Sequence, residues 1–176
     1  MNKFKDKVAV ITGGNSGIGY ATAEKLISQG ASVIITGRRK EAIEKAAMET
    51  GAFPVVADQA NLEHTEGLYK QVQKQFGKVD ILFINAGITG ESSLIEVATE
   101  DNFDKVMNIN FKGAYFMLSK FVPLLSGGAS VVILSSIVAT THKPNSSIYQ
   151  ASKAALSSIA KTADKGEHSK SRTNQN

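Results

Sequence analysis

Val8-Ala9-Val10-Ile11-Thr12-Gly13-Gly14-Asn15-Ser16-Gly17-Ile18-Gly19 is an apolar run, a glycine-rich turn and the opening of a helix. The apolar centre is continuous rather than alternating, as a parallel strand covered on both faces requires. The pattern returns at Val33-Ile34-Ile35 and at Val131-Val132-Ile133-Leu134. Working outward, strands are expected at 7–12, 32–36, 53–57, 79–84 and 129–135. Between them, Ala23, Leu26 and Ile27, and then Leu62, Tyr69, Val72 and Phe76, keep helical spacing. Gly30 and Gly77 stand where helix C-caps belong. Repeated β-α units of this kind predict an α/β fold with a doubly wound parallel sheet, joined by right-handed crossovers.

A turn between a strand and a helix is a place for a pyrophosphate. Glycines let the backbone approach the anion closely, and the free amides of the helix N-terminus meet its charge. Gly13, Asn15, Ser16, Gly17, Ile18 and Gly19 are therefore the expected nucleotide contacts, although Gly13-x-x-x-Gly17-x-Gly19 departs from the common G-x-G-x-x-G. At the end of the second strand a dinucleotide site usually places an acidic residue for the adenine ribose. Here Gly37 is followed by Arg38 and Arg39. A carboxylate would repel a 2′-phosphate, whereas guanidinium groups bind one bidentately. NADP(H) is expected as the preferred cofactor, with NAD(H) as the alternative.

At 176 residues, with 42% hydrophobic and 20% charged, the composition is that of one ordinary globular domain. With no cysteine there is no disulfide framework, thiolate metal site or cysteine nucleophile. His64, His142 and His168 lack metal-ligand spacing and are read as surface residues, so no metal is expected. The net charge of +4 is scattered apart from Arg38-Arg39-Lys40, which argues against a nucleic-acid partner. No apolar run approaches the ~18 residues of a membrane span, and a cytoplasmic location is expected.

Residues 99–125 read as one long helix with Thr99 as N-cap and Glu100 and Asp101 in the first turn. Phe103, Val106, Ala114 and Met117 form its apolar stripe, and Asn110 falls on that stripe. A buried asparagine must be hydrogen-bonded, since a bare amide costs ~1–3 kcal/mol. The fifth strand delivers Ser135-Ser136 at its carboxyl end, where ligands bind in open α/β sheets. Tyr149 and Lys153 follow at i and i+4, on one face of the next helix.

In order and spacing, the Thr12–Gly19 turn, Asn85-Ala86-Gly87, Asn110, Ser136 and Tyr149-x-x-x-Lys153 resemble the short-chain dehydrogenase/reductase family over about residues 5–162. The resemblance implies a Rossmann-type domain over 1–162 and an NAD(P)-dependent oxidoreductase acting on a small carbonyl or alcohol. It assigns Tyr149 the acid/base role, Lys153 the electrostatic support of the phenolate and bonds to the nicotinamide ribose, and Ser136 the substrate oxygen. Asn110 would anchor a water linking Lys153 to solvent. Asn85-Ala86-Gly87 would form the cofactor-side loop, and Asp58 would lie beside the adenine. The chemistry suits these residues: a lysine ammonium ~4 Å from a phenol favours the phenolate by about 4 kcal/mol at an effective dielectric of 20. Helix–helix association into a dimer or tetramer is a further implication.

Two positions depart from the family pattern. Ile84 replaces an asparagine, and Gln59 replaces a small aliphatic residue; neither is expected to touch the chemistry. Five strands are recognisable, and the family's last two, with its Pro-Gly turn and substrate-covering segment, have no counterpart. Residues 163–176 carry no large apolar side chain and are expected to form a polar, disordered tail. Such a chain would bind nucleotide but catalyse poorly.

Overall fold

The structure is a computed structural model and describes residues 2–165 and 171–175. Strands β1 (Val8–Thr12), β2 (Ser32–Gly37), β3 (Phe53–Val56), β4 (Val79–Ile84), β5 (Leu125–Ile133) and β6 (Ser171–Gln175) form one sheet in the order β3-β2-β1-β4-β5-β6. Every pairing is parallel. The order reverses between β1 and β4, and such a switch point opens a crevice at the carboxyl ends of the strands.

Alternation along the strands feeds two cores. Ala9, Ile11, Val33 and Ile35 pack against Ala23 and Leu26 of α1 (Gly17–Ile27) and Ile43 of α2 (Lys40–Thr50). Val10, Ile34, Leu82 and Val131 face the other way, onto Leu68 and Val72 of α3 (Leu62–Phe76). Met117 and Phe121 of α5 (Ala114–Phe121) and Leu156 of α7 (Ser147–Lys165), which follows the short α6 (Val138–Thr141), complete that layer. Asn61 caps α3 by accepting the Glu63 and His64 amides, and Gly77 ends it in the left-handed region at φ 70°. Opposite the crevice, Asp80 is buried among the Val8 amide, the Ser126 hydroxyl and the ammonium groups of Lys7 and Lys78. Burial raises its pKa, but these donors more than offset that and hold the carboxyl well below its usual range.

All five expected strands are present, with shifted ends. The fifth starts earlier than expected, because extended chain from Leu125 pairs with Val79 before a register irregularity at Val79/Ile81. The helix expected over 99–125 is α4 (Glu100–Met107), a π turn at Asn108–Gly113, and α5, capped by Thr99 as expected. It stops at Phe121 because Pro123 breaks the ladder, leaving a 3-10 turn at Val122–Leu124. Phe103, expected on the buried stripe, is exposed. Asn102 takes the inner position instead, where its Oδ1 accepts the Glu91 amide at 2.9 Å and its Nδ2 donates to Glu91 O at 3.1 Å.

The tail also requires a correction. Helix α7 runs on to Lys165, and Ser171–Gln175 pairs in parallel with β5 from Ala129↔Ser171 to Ile133↔Gln175. An uncovered β5 edge would present a row of unpaired amides and carbonyls, and any extended backbone can satisfy them whatever its side chains. Since β5 and β6 are parallel, α7 lies between them in the chain as a crossover element. No apolar signal marks this strand, because backbone pairing does not require one. Residues 166–170 and Asn176 lie outside the described residues.

Candidate active site

Thr12, the last residue of β1, organises the crevice. Its hydroxyl accepts the Asn85 and Ala86 amides, each at 3.0 Å. The Asn85 side chain returns the bond, donating Nδ2 to Thr12 O at 2.9 Å and to Gly13 O at 3.0 Å. Asn85 therefore locks the glycine turn from beneath. Gly13 is at φ 67°, and a Cβ on Gly19 would lie 2.4 Å from Gly13 O, so the turn closes only without side chains there.

A cleft of about 300 Å³ opens above this turn, within the range of small-ligand sites. Gly13, Asn15, Ser16, Ile18, Arg38, Asp58, Asn85, Ala86 and Gly87 line it. Gly17 and Gly19 shape the same turn, while Arg39 is the exposed N-cap of α2. Ser16 makes no side-chain cap to α1, and no acidic residue stands in its first turn. A helix N-terminus with uncapped amides and no carboxylate suits a phosphate. At the far end, Gly37 and Arg38 line the cleft, and Gly37 packs closely, since a Cβ there would lie 3.0 Å from Asn15 Oδ1 and 3.3 Å from Ile43 Cδ1. The residues present thus fit a dinucleotide. Asp58 is held by its neighbours: its amide donates to His64 Nδ1 at 3.0 Å, and its Oδ1 accepts the Ala60 amide at 3.0 Å. His64, read from sequence as a plain surface residue, has this local role.

The second half of the site is a hydrogen-bonded chain. Asn110 is fully buried in the π turn and clamps the backbone of one residue of the loop after β4. Its Oδ1 accepts the Ile88 amide and its Nδ2 donates to Ile88 O, each at 2.8 Å. The same Nδ2 donates to Ser152 Oγ at 3.0 Å, and Ser152 donates to Tyr149 O at 2.7 Å. Asn102 clamps Glu91 in the same way two turns earlier, a pairing the sequence reading missed. The only signal for it was a second asparagine eight residues before Asn110.

Lys153 is 3% exposed, and its Nζ donates to Leu134 O at 2.8 Å. Burial pushes its pKa down from 10.5 to about 8. The ammonium sits 5.8 Å from the centre of the Tyr149 ring. A Cβ on Gly87 would lie 3.2 Å from Asn110 Oδ1 and 3.3 Å from Lys153 Nζ, so the cofactor-side loop reaches both residues. Ser136 follows β5 and accepts the Val138 amide at 3.4 Å, a long bond that leaves its hydroxyl largely free. Ser135 is structural, bonded to Lys153 O at 3.0 Å and to Ser157 Oγ at 2.8 Å. Gln59 is also buried here, donating to Ala86 O at 3.1 Å and to Ile109 O at 2.9 Å. Among the described residues, no group of three or more His, Cys, Asp or Glu could hold a metal ion, and no helix is long and apolar enough to cross a membrane.

Comparison with known proteins agrees with this geometry. The chain is 36% identical over 166 residues to an oxidoreductase, asL5, of Sarocladium schorii, covering 92% of this chain and 66% of the relative. It is 33% identical over 169 residues to an NADP-dependent (R)-specific alcohol dehydrogenase of Lentilactobacillus kefiri, covering 92% and 67%. The chain thus spans about two thirds of the length of these relatives. The crystal structure of a Brucella melitensis 3-ketoacyl-(acyl-carrier-protein) reductase complexed with NADH superimposes with a TM-score of 0.88. It is 31% identical, with 92% of this chain and 70% of that one covered. With residues 7–171 matching the short chain dehydrogenase family as a whole, the chain belongs to that family.

Proposed function

We propose that the chain binds NADP(H) in the crevice between β1 and β4 and serves an NADP-dependent oxidoreductase of small carbonyl or alcohol substrates. The observation that carries this reading is the end of the cleft, where Gly37 rather than a carboxylate closes β2 and Arg38 follows it in the lining. Gly13, Asn15, Ser16, Gly17, Ile18 and Gly19 would hold the pyrophosphate against the N-terminus of α1. Arg38, with Arg39 beside it, would take the 2′-phosphate, and Asp58 the adenine. Asn85, Ala86 and Gly87 would flank the inner ribose, and Tyr149 and Lys153 the nicotinamide ribose. When bound, the nicotinamide supplies or accepts the hydride.

The protein's own part is positioning and proton transfer. Tyr149 donates its phenolic proton to a substrate oxygen, or withdraws one from an alcohol. Ser136 holds that oxygen through its little-used hydroxyl. Lys153 favours the phenolate electrostatically while protonated, which its pKa of about 8 allows at neutral pH. Asn110 and Ser152 fix the backbone on either side of this pair. The NADP-dependent alcohol dehydrogenase relative supports the cofactor choice, and the NADH complex marks the alternative. Calorimetric titration separates them: replacing Gly37 by Asp together with Arg38 by Leu should reverse the preference. Equal affinity of the unaltered chain for NADPH and NADH would contradict the assignment.

A second reading is a nucleotide-binding module with little or no turnover. It is favoured by the segments nearest Tyr149, where Ile95 and Ile137 are both 76% exposed. NADPH binding without oxidation across a panel of ketones would support it. Exposed Phe103, Tyr115 and Phe116 on the outer face of α4 and α5 offer a surface for self-association into a dimer or tetramer. Sedimentation showing a stable monomer at micromolar concentration would count against that.

A further inference from the structure

Gln59 lies outside every role assigned above, yet its environment is unusual for a loop residue. It follows Asp58 in the turn between β3 and α3 and is 5% exposed. Its side-chain amide spends its two N–H groups on different segments, one on Ala86 O in the cofactor-side loop and one on Ile109 O in the π turn. Its backbone is pressed against the same π turn, where a Cβ on Gly113 would lie 2.2 Å from Gln59 O. Gly113 is thus the only residue type that lets the two segments meet at this distance. Side chains inserted into a helical ladder are a recognised cause of local distortion, and π turns gather at functional sites.

The consequence follows from what each anchored segment carries. Ala86 precedes Gly87, whose Cα faces Asn110 and Lys153. Ile109 precedes Asn110, which holds the Ile88 peptide and Ser152. We propose that Gln59 is a positioning residue that ties the Asp58 turn, the Asn85-Ala86-Gly87 loop and the Asn110 π turn into one unit. The adenine-side turn and the Asn110–Ser152–Lys153 side then move together. This deepens the dinucleotide reading and rests on it only for its effect on binding.

The test uses Gln59→Met, which keeps length and loses both donors, and Gln59→Glu, which keeps shape and acceptor character but cannot donate when ionised. In the ligand-free chain, amide hydrogen exchange of Ile88 should accelerate about tenfold in both variants. The Asn85 amide, held by Thr12, should stay within twofold of the parent. With ligand, NADPH affinity should fall about tenfold, while 2′,5′-ADP, which lacks the nicotinamide half, should bind within twofold. Unchanged Ile88 exchange, or equal acceleration at Ile88, Asn85 and the core amides of β1, would overturn the proposal. So would a Gln59→Glu chain with parental protection at Ile88. If the exchange pattern appears but neither ligand binds the parent chain, the dinucleotide reading has failed and the positioning role stands.

Discussion

Around Thr12 and Asn110, buried side chains close almost every polar group onto a neighbouring segment. Thr12 holds two amides, Asn85 holds two carbonyls, and Asn110 holds both backbone groups of Ile88 and a serine. Residues 92–98 and 136–146, which meet beside α7, are built otherwise. Their contact rests on Asn145 O, which accepts the Ser93 amide and the Ser92 hydroxyl at 3.0 and 3.1 Å. Leu94, Ile95, Val97 and Ile137 stand more than half exposed there. The contrast separates two tasks. A nucleotide has fixed shape and charge, so its cleft can be rigid before it arrives. Loops with little buried area and few internal bonds belong to the low-stability end of a structure and can adapt to what they cover.

The largest expected effect tests the chemistry that sits where the two regions join. Tyr149→Phe keeps the ring and removes the proton donor. Any turnover should fall by about 10²–10⁴-fold, the usual worth of a positioned acid or base. NADPH affinity should stay within about twofold, as checked by fluorescence titration beside a turnover assay. Full activity in that variant would place the proton donor elsewhere.

Rigidity of the nucleotide end makes a second prediction. Gly19→Ala puts a methyl 2.4 Å from the Gly13 carbonyl, so either the turn or the helix start must shift. A loss of NADPH affinity well beyond tenfold is expected, equivalent to more than about 1.4 kcal/mol. Gly127→Ala is the control, since nothing lies within 4 Å of its Cβ position. Equal behaviour of the two variants would mean that the turn is soft.

Lys153 sharpens the comparison through pH. Its pKa in the folded chain, about 8, lies below the 10.5 of an unperturbed lysine. The unfolded chain therefore binds more protons between those values, and stability should rise with pH across that window. The full span corresponds to about 3 kcal/mol. Urea unfolding at pH 7.5 and 10.5 should show this rise relative to Lys153→Met, in which the buried charge is absent. A difference that stays flat with pH would mean that the ammonium is solvated. The smallest effect belongs to the loops: Ile95→Ala should change stability by less than about 0.5 kcal/mol in the same assay.

Legibility from sequence divided along the same line. Continuous apolar runs announced β1, β2 and β5, because strands buried on both faces leave few polar positions to confuse the reading. The glycine turn, Asn110 and the Tyr149/Lys153 pair were readable because each needs a residue type that is odd in its setting. Asn102 and Gln59 were not, since an amide at the edge of a helix or in a turn looks like an ordinary surface residue. Only the fold shows that Asn102 meets Glu91 and that Gln59 meets Ala86 and Ile109. β6 was illegible for a different reason: backbone pairing on an open edge asks nothing of side-chain hydrophobicity. Pro123 was a readable stop that the long apolar pattern overrode.

The most direct test of the rigid-cleft account is amide hydrogen exchange along the whole chain, with and without NADPH. In the free chain, the amides of Asn85, Ala86 and Ile88 should already be protected at least tenfold more than those of 92–98. NADPH should then slow residues 13–19 and leave 85–88 within a few fold of their free rates. Exchange at 85–88 as fast as at 92–98 until NADPH is added would contradict the account, because the cleft would then be assembled by its ligand.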